Sequence, residues 1–282
     1  MQTAQAHALL DALDRQASHR TTRAAPRGNV VWRSWGAGPP LVLLHGGAGS
    51  WMHWVRNIDA LARSRTLWVP DLPGMGDSAL PREGLDADTI APIVLDGAAE
   101  LLGGAGFDLV GFSFGSLVAG FMAHLAPDKV TRLVMVAGSG LGLPPGPGGA
   151  LRPLRGITGA REREAVLRHN LSVIMIHDRS HIDALAVAVQ DRSAQRDRVR
   201  GRKLARSDAM LRIAPTWRCP AVGIWGCDDL LRRRDPEAFD TAVSGLGLRE
   251  RHLVPGASHW VQYEAPDAFN PLLLRMLAVP AR

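Results

Sequence analysis

A chain of 282 residues with 46% apolar side chains can cover a sheet on both faces, and that share excludes a disordered polypeptide. The net charge of +6 rests on basic residues crowded between Arg152 and Arg212, without interleaved aromatics or repeats. That pattern describes a solvated, arginine-rich helical face and argues against a nucleic-acid partner. No apolar run approaches a membrane span and residues 1–15 lack an export layout, so a cytoplasmic protein without a membrane partner is expected.

Residues 1–15 read as a short amphipathic helix with Leu9, Leu10 and Leu13 on one face. A strand is predicted over 29–35, followed by the turn 36–40. The run Leu41-Val42-Leu43-Leu44 is continuously apolar, as suits a central parallel strand buried on both faces, and it ends in His45-Gly46-Gly47-Ala48-Gly49. Helical spacing covers 51–61, a short strand 67–69, and a turn-rich loop 70–78. A helix at 88–102, a strand at 107–110 and another at 130–136 continue the alternation, which calls for a doubly wound, mostly parallel sheet. At 138–147 glycine and proline break the pattern, and 140–215 reads as a helical cap inserted into a core made of 1–139 and 216–282. A strand at 221–225, a helix at 236–246, a strand at 250–254 and a helix at 265–277 complete the core. Cys219 and Cys227 flank a strand, about 25 Å apart in extended chain, which makes them free thiols rather than a disulfide or a metal site.

Between the strand at 107–110 and the helical run from Ser116 lies Gly111-Phe112-Ser113-Phe114-Gly115. A serine hydroxyl becomes a nucleophile only if it is lifted off the backbone, given a base and set beside donors for the oxyanion. A sharp strand-to-helix turn flanked by glycines meets the first need. The base and its orienting acid are expected in loops at the carboxyl ends of later strands. His259 follows the last strand, and Asp229, preferred over Asp228, follows the strand at 221–225. The order Ser113, Asp229, His259 gives nucleophile, acid and base. Gly47 is the preferred oxyanion donor beside Phe114, with Gly46 second, and His45 reads as a structural hydrogen-bonding residue.

Five motifs in order, Leu-Leu-His-Gly-Gly at 43–47, Asp-Leu-Pro-Gly-Met-Gly-Asp-Ser at 71–78, Gly-Phe-Ser-Phe-Gly at 111–115, Trp-Gly-Cys-Asp-Asp at 225–229 and the His259 loop, resemble the α/β-hydrolase superfamily. The resemblance implies a serine hydrolase of a small-molecule carboxylic ester or lactone, with no metal or organic cofactor, and allows a homodimer. The tail from His259 to Asn270 looks like that of the meta-cleavage product hydrolases, which cut carbon–carbon bonds in vinylogous diketones and hold a substrate carboxylate with a cap arginine. In this chain Arg192 is the candidate for that role. Phe112 departs from the polar residue usual there and makes the pocket more apolar. Trp51, Trp54, Phe112, Met122 and Trp260 are candidate pocket lining. A non-catalytic ligand-binding receptor with the same fold is the reading from another class.

Overall fold

The computed structural model describes residues 2–23, 28–82, 84–144, 151–199 and 201–278. They form an eight-stranded sheet in the order β1-β2-β4-β3-β5-β6-β7-β8. The strands are β1 (Ser18–Arg23), β2 (Asn29–Trp35), β3 (Pro40–Leu44), β4 (Thr66–Pro70), β5 (Phe107–Phe112), β6 (Val130–Val136), β7 (Ala221–Gly226) and β8 (Glu250–Val254). From β4 through β8 every pairing is parallel, whereas β1 and β2 join antiparallel at one edge. Helices α1 (Thr3–Gln16), α2 (Ile58–Leu61), α3 (Ala87–Leu102), α4 (Phe114–Leu125), α8 (Leu230–Arg234), α9 (Pro236–Ser244), α10 (Val261–Glu264) and α11 (Pro266–Ala278) accompany the sheet. Between β6 and β7 come α5 (Ala160–Asn170), a π-helical turn Leu171–Met175, α6 (Ala184–Gln195) and α7 (Ala209–Ile213), with no strand among the described residues.

Local chemistry explains most of these elements. All of Phe107–Phe112 is buried, as is Leu41–Leu44, because both strands are central and covered on each face. Asp86 caps α3 by accepting the Ala87 N–H at 2.8 Å, and Gly103 ends the helix in the left-handed conformation.

Several expectations need correction. In α1 the buried stripe is Ala6, Leu10 and Leu13, at i, i+4 and i+7, while Leu9 is exposed. Strand β1 was invisible to a hydrophobicity reading because only Thr22 of its six residues is buried; its pairing with β2 makes it a strand. The helix expected over 51–61 is broken into a 3₁₀ turn (Trp51–Trp54) and α2, and the Trp51 N–H, which no helix starting there would use, goes to Asp71 Oδ1 at 2.8 Å. The glycine–proline stretch expected at 138–147 is described only to 144, and 145–147 lie outside the described residues.

Candidate active site

Ser113 sits on the turn between β5 and α4, with φ 53° and ψ −115°, a conformation an L-residue adopts only under constraint. The constraint is packing. A Cβ on Gly111 would lie 2.3 Å from the Gly115 carbonyl oxygen, and one on Gly115 would lie 2.3 Å from that of His45. Both glycines are therefore fixed by close backbone approach. The only other described non-glycine residues with positive φ are Ala48 and Ala137, which follow β3 and β6. These strands flank β5, so all three strained residues stand at the carboxyl edge of three adjacent strands.

His259 Nε2 lies 2.9 Å from Ser113 Oγ, and its Nδ1 lies 2.9 Å from Asp229 Oδ2. Asp229 is fully buried, and its other oxygen accepts the Leu231 N–H at 2.9 Å. Asp228 turns outward instead, 3.8 Å from His177. Of the two aspartates named from the sequence, Asp229 meets the imidazole.

The loop after β3 is held by two buried histidines. His45 donates Nδ1–H to the Gly46 carbonyl at 2.8 Å and accepts the Leu72 N–H on Nε2 at 2.9 Å, so it is neutral and structural. His53 accepts the Gly46 N–H on Nδ1 at 3.2 Å. Burial, reinforced by His45 and His259, drives the His53 pKa well below its ordinary value, and burial lowers that of His45 too. Because His53 takes the Gly46 N–H, Gly46 is corrected as an oxyanion donor. The N–H groups of Gly47 and Phe114 have no partner among the described residues, and both residues line the cavity above Ser113.

That cavity has a volume of about 590 Å³. Its apolar wall includes Leu151 and, from the π-helical turn, Leu171, Ile174 and Met175, while Arg202, Lys203 and Arg206 supply a basic side. The π-helical turn is tied to the histidine loop, since the Trp260 N–H donates to the Met175 carbonyl at 2.8 Å. Glu264 adds a second tie. Its side chain is fully buried; Oε1 accepts the N–H groups of His177 and Asp178, each at 2.8 Å, and Oε2 accepts that of Ser258 at 2.7 Å. Burial nevertheless pushes the Glu264 carboxyl above its ordinary value.

The expected lining residues lie elsewhere. Arg192 donates to Asp11 Oδ1 at 2.6 Å and to His7 Nδ1 at 2.9 Å, pinning α6 to α1 beside a different cleft, so it does not reach Ser113. Trp51 is buried under the Arg33 guanidinium, in that same cleft. Phe112 is buried against the rings of His259 and His53 at 5.3 and 5.4 Å, backing the His259 imidazole. Trp260 stacks on Tyr263 at 4.1 Å and donates Nε1–H to the His53 carbonyl. Trp54 and Met122 are fully buried core. The aromatic residues named from the sequence are thus scaffold around Ser113 and His259. Sequence reasoning missed His53, Arg202 and Glu264; only the position of Glu264, five residues beyond His259, offered a signal.

A profile described as "Alpha/beta hydrolase family" matches residues 41–272. The chain belongs to the alpha/beta hydrolase family. Its fold is that of the family. It is 31% identical over 270 residues to a 2-hydroxy-6-oxononadienedioate/2-hydroxy-6-oxononatrienedioate hydrolase of Paraburkholderia phymatum, covering 88% of this chain and 90% of that one. It is 30% identical over 266 residues to the dihydrolipoyllysine-residue acetyltransferase component of the acetoin cleaving system of Pseudomonas putida. That match covers 85% of this chain but only 64% of the relative's length. Among solved structures, the esterase RhEst1 of Rhodococcus sp. ECU1013 superposes with TM-score 0.77 at 23% identity, over 93% of this chain and 99% of that one, a likeness of fold. No helix among the described residues is long and apolar enough to cross a membrane.

Proposed function

We propose that this hydrolase cleaves a carboxylic ester or lactone of a small, largely apolar substrate through an acyl-enzyme on Ser113. The observation that carries the reading is the continuous chain from Ser113 Oγ through His259 to the buried Asp229, at the floor of a cavity with two unpartnered N–H groups. His259 Nε2 takes the Ser113 proton as Oγ attacks the carbonyl carbon. Asp229 holds the Nδ1–H tautomer and stabilises the imidazolium. The N–H groups of Gly47 and Phe114 receive the oxyanion, at the N-terminus of α4 where the helix dipole also favours negative charge. Collapse of the tetrahedral intermediate expels the alkoxide, which takes the proton from His259. Water, deprotonated by the same imidazole, then attacks the acyl-enzyme, and its collapse returns the proton to Ser113 and frees the acid.

The test is hydrolysis of short and medium p-nitrophenyl esters by wild type and Ser113→Ala. The variant should lose at least about 10⁴-fold in kcat while staying folded. A variant rate within tenfold of wild type would sink the acyl-enzyme.

Carbon–carbon hydrolysis of a vinylogous diketone by the same three groups is the second reading, supported by the likeness to the P. phymatum enzyme along nearly its whole length. Turnover of a dienoate diketone in the absence of ester turnover would select it.

A further inference from the structure

The wall of the cavity has a support outside residues 41–272, the part of the chain that the family profile covers. Helix α1 packs along α6. Gln190 of α6 lines the cavity, and Arg192 follows two residues later. At 3.6 residues per turn, positions two apart stand on opposite sides of a helix. Arg192 accordingly points away from the cavity, to Asp11 and His7, which lie one turn apart on α1. α1 thus backs α6 from behind. It is itself held in place, with Ala6, Leu10 and Leu13 buried and the Leu13 carbonyl accepting the Trp35 Nε1–H at 3.1 Å.

A half-exposed ion pair such as Asp11–Arg192 holds little when it stands alone. This one is the outermost of a linked set. Beneath it lies Arg33, only 4% exposed, which donates to Asp14 of α1 and to Asp71 and Asp77 of the loop after β4. Asp77 also accepts from Arg196, the residue that ends α6. One turn before Arg196 the buried Ser193 hydroxyl meets that of Ser50 at 3.0 Å. The carboxyl end of α6 is therefore joined to α1 and to the loop after β4 through one buried guanidinium. The amino end is fixed differently: Asp183 accepts the Tyr263 hydroxyl at 2.6 Å and Arg56 at 2.7 Å.

We infer that Asp11, acting through Arg192, is a positioning residue for the carboxyl end of α6, so that the N-terminal helix sets how wide an acyl group the cavity admits. The width rests on the ester-hydrolase reading above, whereas the position of α6 does not. With the support gone, the wall bearing Gln190 recedes from Ser113 and the cavity widens.

The experiment reverses the charge at Asp11 and then restores the pair. In Asp11→Arg two guanidinium groups face one another. Amide hydrogen exchange across 188–196 should quicken about fivefold while that of β5 stays unchanged. The kcat/KM ratio of p-nitrophenyl diphenylacetate, a wide acyl group, to p-nitrophenyl acetate should rise about fivefold, with acetate turnover within twofold of wild type. Asp11→Arg combined with Arg192→Asp, which swaps the two charges, should bring both readouts most of the way back. Exchange that is unchanged in 188–196, or that quickens equally in β5, overturns the inference. So does a rescued exchange rate with an ester ratio that never moved. Exchange that responds and is rescued, in a protein that turns over neither ester, leaves the support of α6 standing and removes the ester-hydrolase reading.

Discussion

Glu264 is the sharpest place to test how the histidine loop is held. The carboxylate uses both oxygens as acceptors, Oε1 for the N–H groups of His177 and Asp178 and Oε2 for that of Ser258. Glu264→Gln conserves shape but replaces one acceptor with an NH₂ group, so in either orientation a donor faces a donor. The cheaper orientation keeps His177 and Asp178 and abandons Ser258, the neighbour of His259. Losing a hydrogen bond to a charged acceptor costs about 1.5–3 kcal/mol, and a buried unsatisfied N–H about 1–3 kcal/mol. Removing a carboxylate whose burial already disfavours its charge offsets part of this, leaving a net loss of about 1–3 kcal/mol. Thermal unfolding of the variant should begin a few degrees lower. Because misplacement of a catalytic group by about 1 Å can cost 10²-fold, kcat should fall about 10–100-fold with KM within threefold. Glu264→Asp, which keeps two acceptors on a shorter stem, should recover part of kcat. A Glu264→Gln protein with wild-type kcat and wild-type Tm would refute the role.

Gly115→Ala would place a Cβ 2.3 and 2.7 Å from the carbonyl oxygens of His45 and Leu44, backbone atoms of a central strand that cannot swing aside. A stability loss at or above the usual 1–3 kcal/mol for overpacking is expected, with turnover lost as the Gly46-Gly47 loop shifts; an unchanged urea midpoint would contradict it. His53 governs a pH effect. Its folded pKa is well below 6.5, so the unfolded chain takes up a proton first as pH falls. Its contribution is thus present above pH 6.5 and lost below, with a slope of up to about 1.4 kcal/mol per pH unit. The acid limb of stability should be shallower in His53→Phe, and identical slopes between pH 6.5 and 5 would exclude the account.

What the sequence made legible was whatever rests on strong local pattern. Leu41–Leu44 and the strand before Ser113 are continuous apolar runs, and glycines at 111 and 115 mark a turn that only close backbone approach explains. The loops bearing Asp229 and His259 follow strands that composition makes plain. Tertiary partners were not legible. Whether Arg192 or Arg202 faces the cavity depends on Asp11, 181 residues away from Arg192, which captures it. Whether Gly46 or Gly47 offers a free N–H depends on a histidine seven residues on, whose ring must fold back under the loop. Strand β1 owes its existence to an edge rather than to its own residues.

The three left-handed residues Ala48, Ser113 and Ala137 have a bearing on how variants of this hydrolase should be interpreted. Each such conformation costs about 1–2 kcal/mol for a residue with a Cβ, so the rim carries roughly 3–6 kcal/mol that the rest of the molecule must counter. β3, β5 and β6 act as a clamp on a rim that would relax if released. A cavity opened by truncating Val110 or Val134, both fully buried in those strands, weakens the clamp without touching any group that meets substrate. An inactive variant is therefore no guide by itself to the position of the chemistry, and on heating, turnover should fade before the sheet melts.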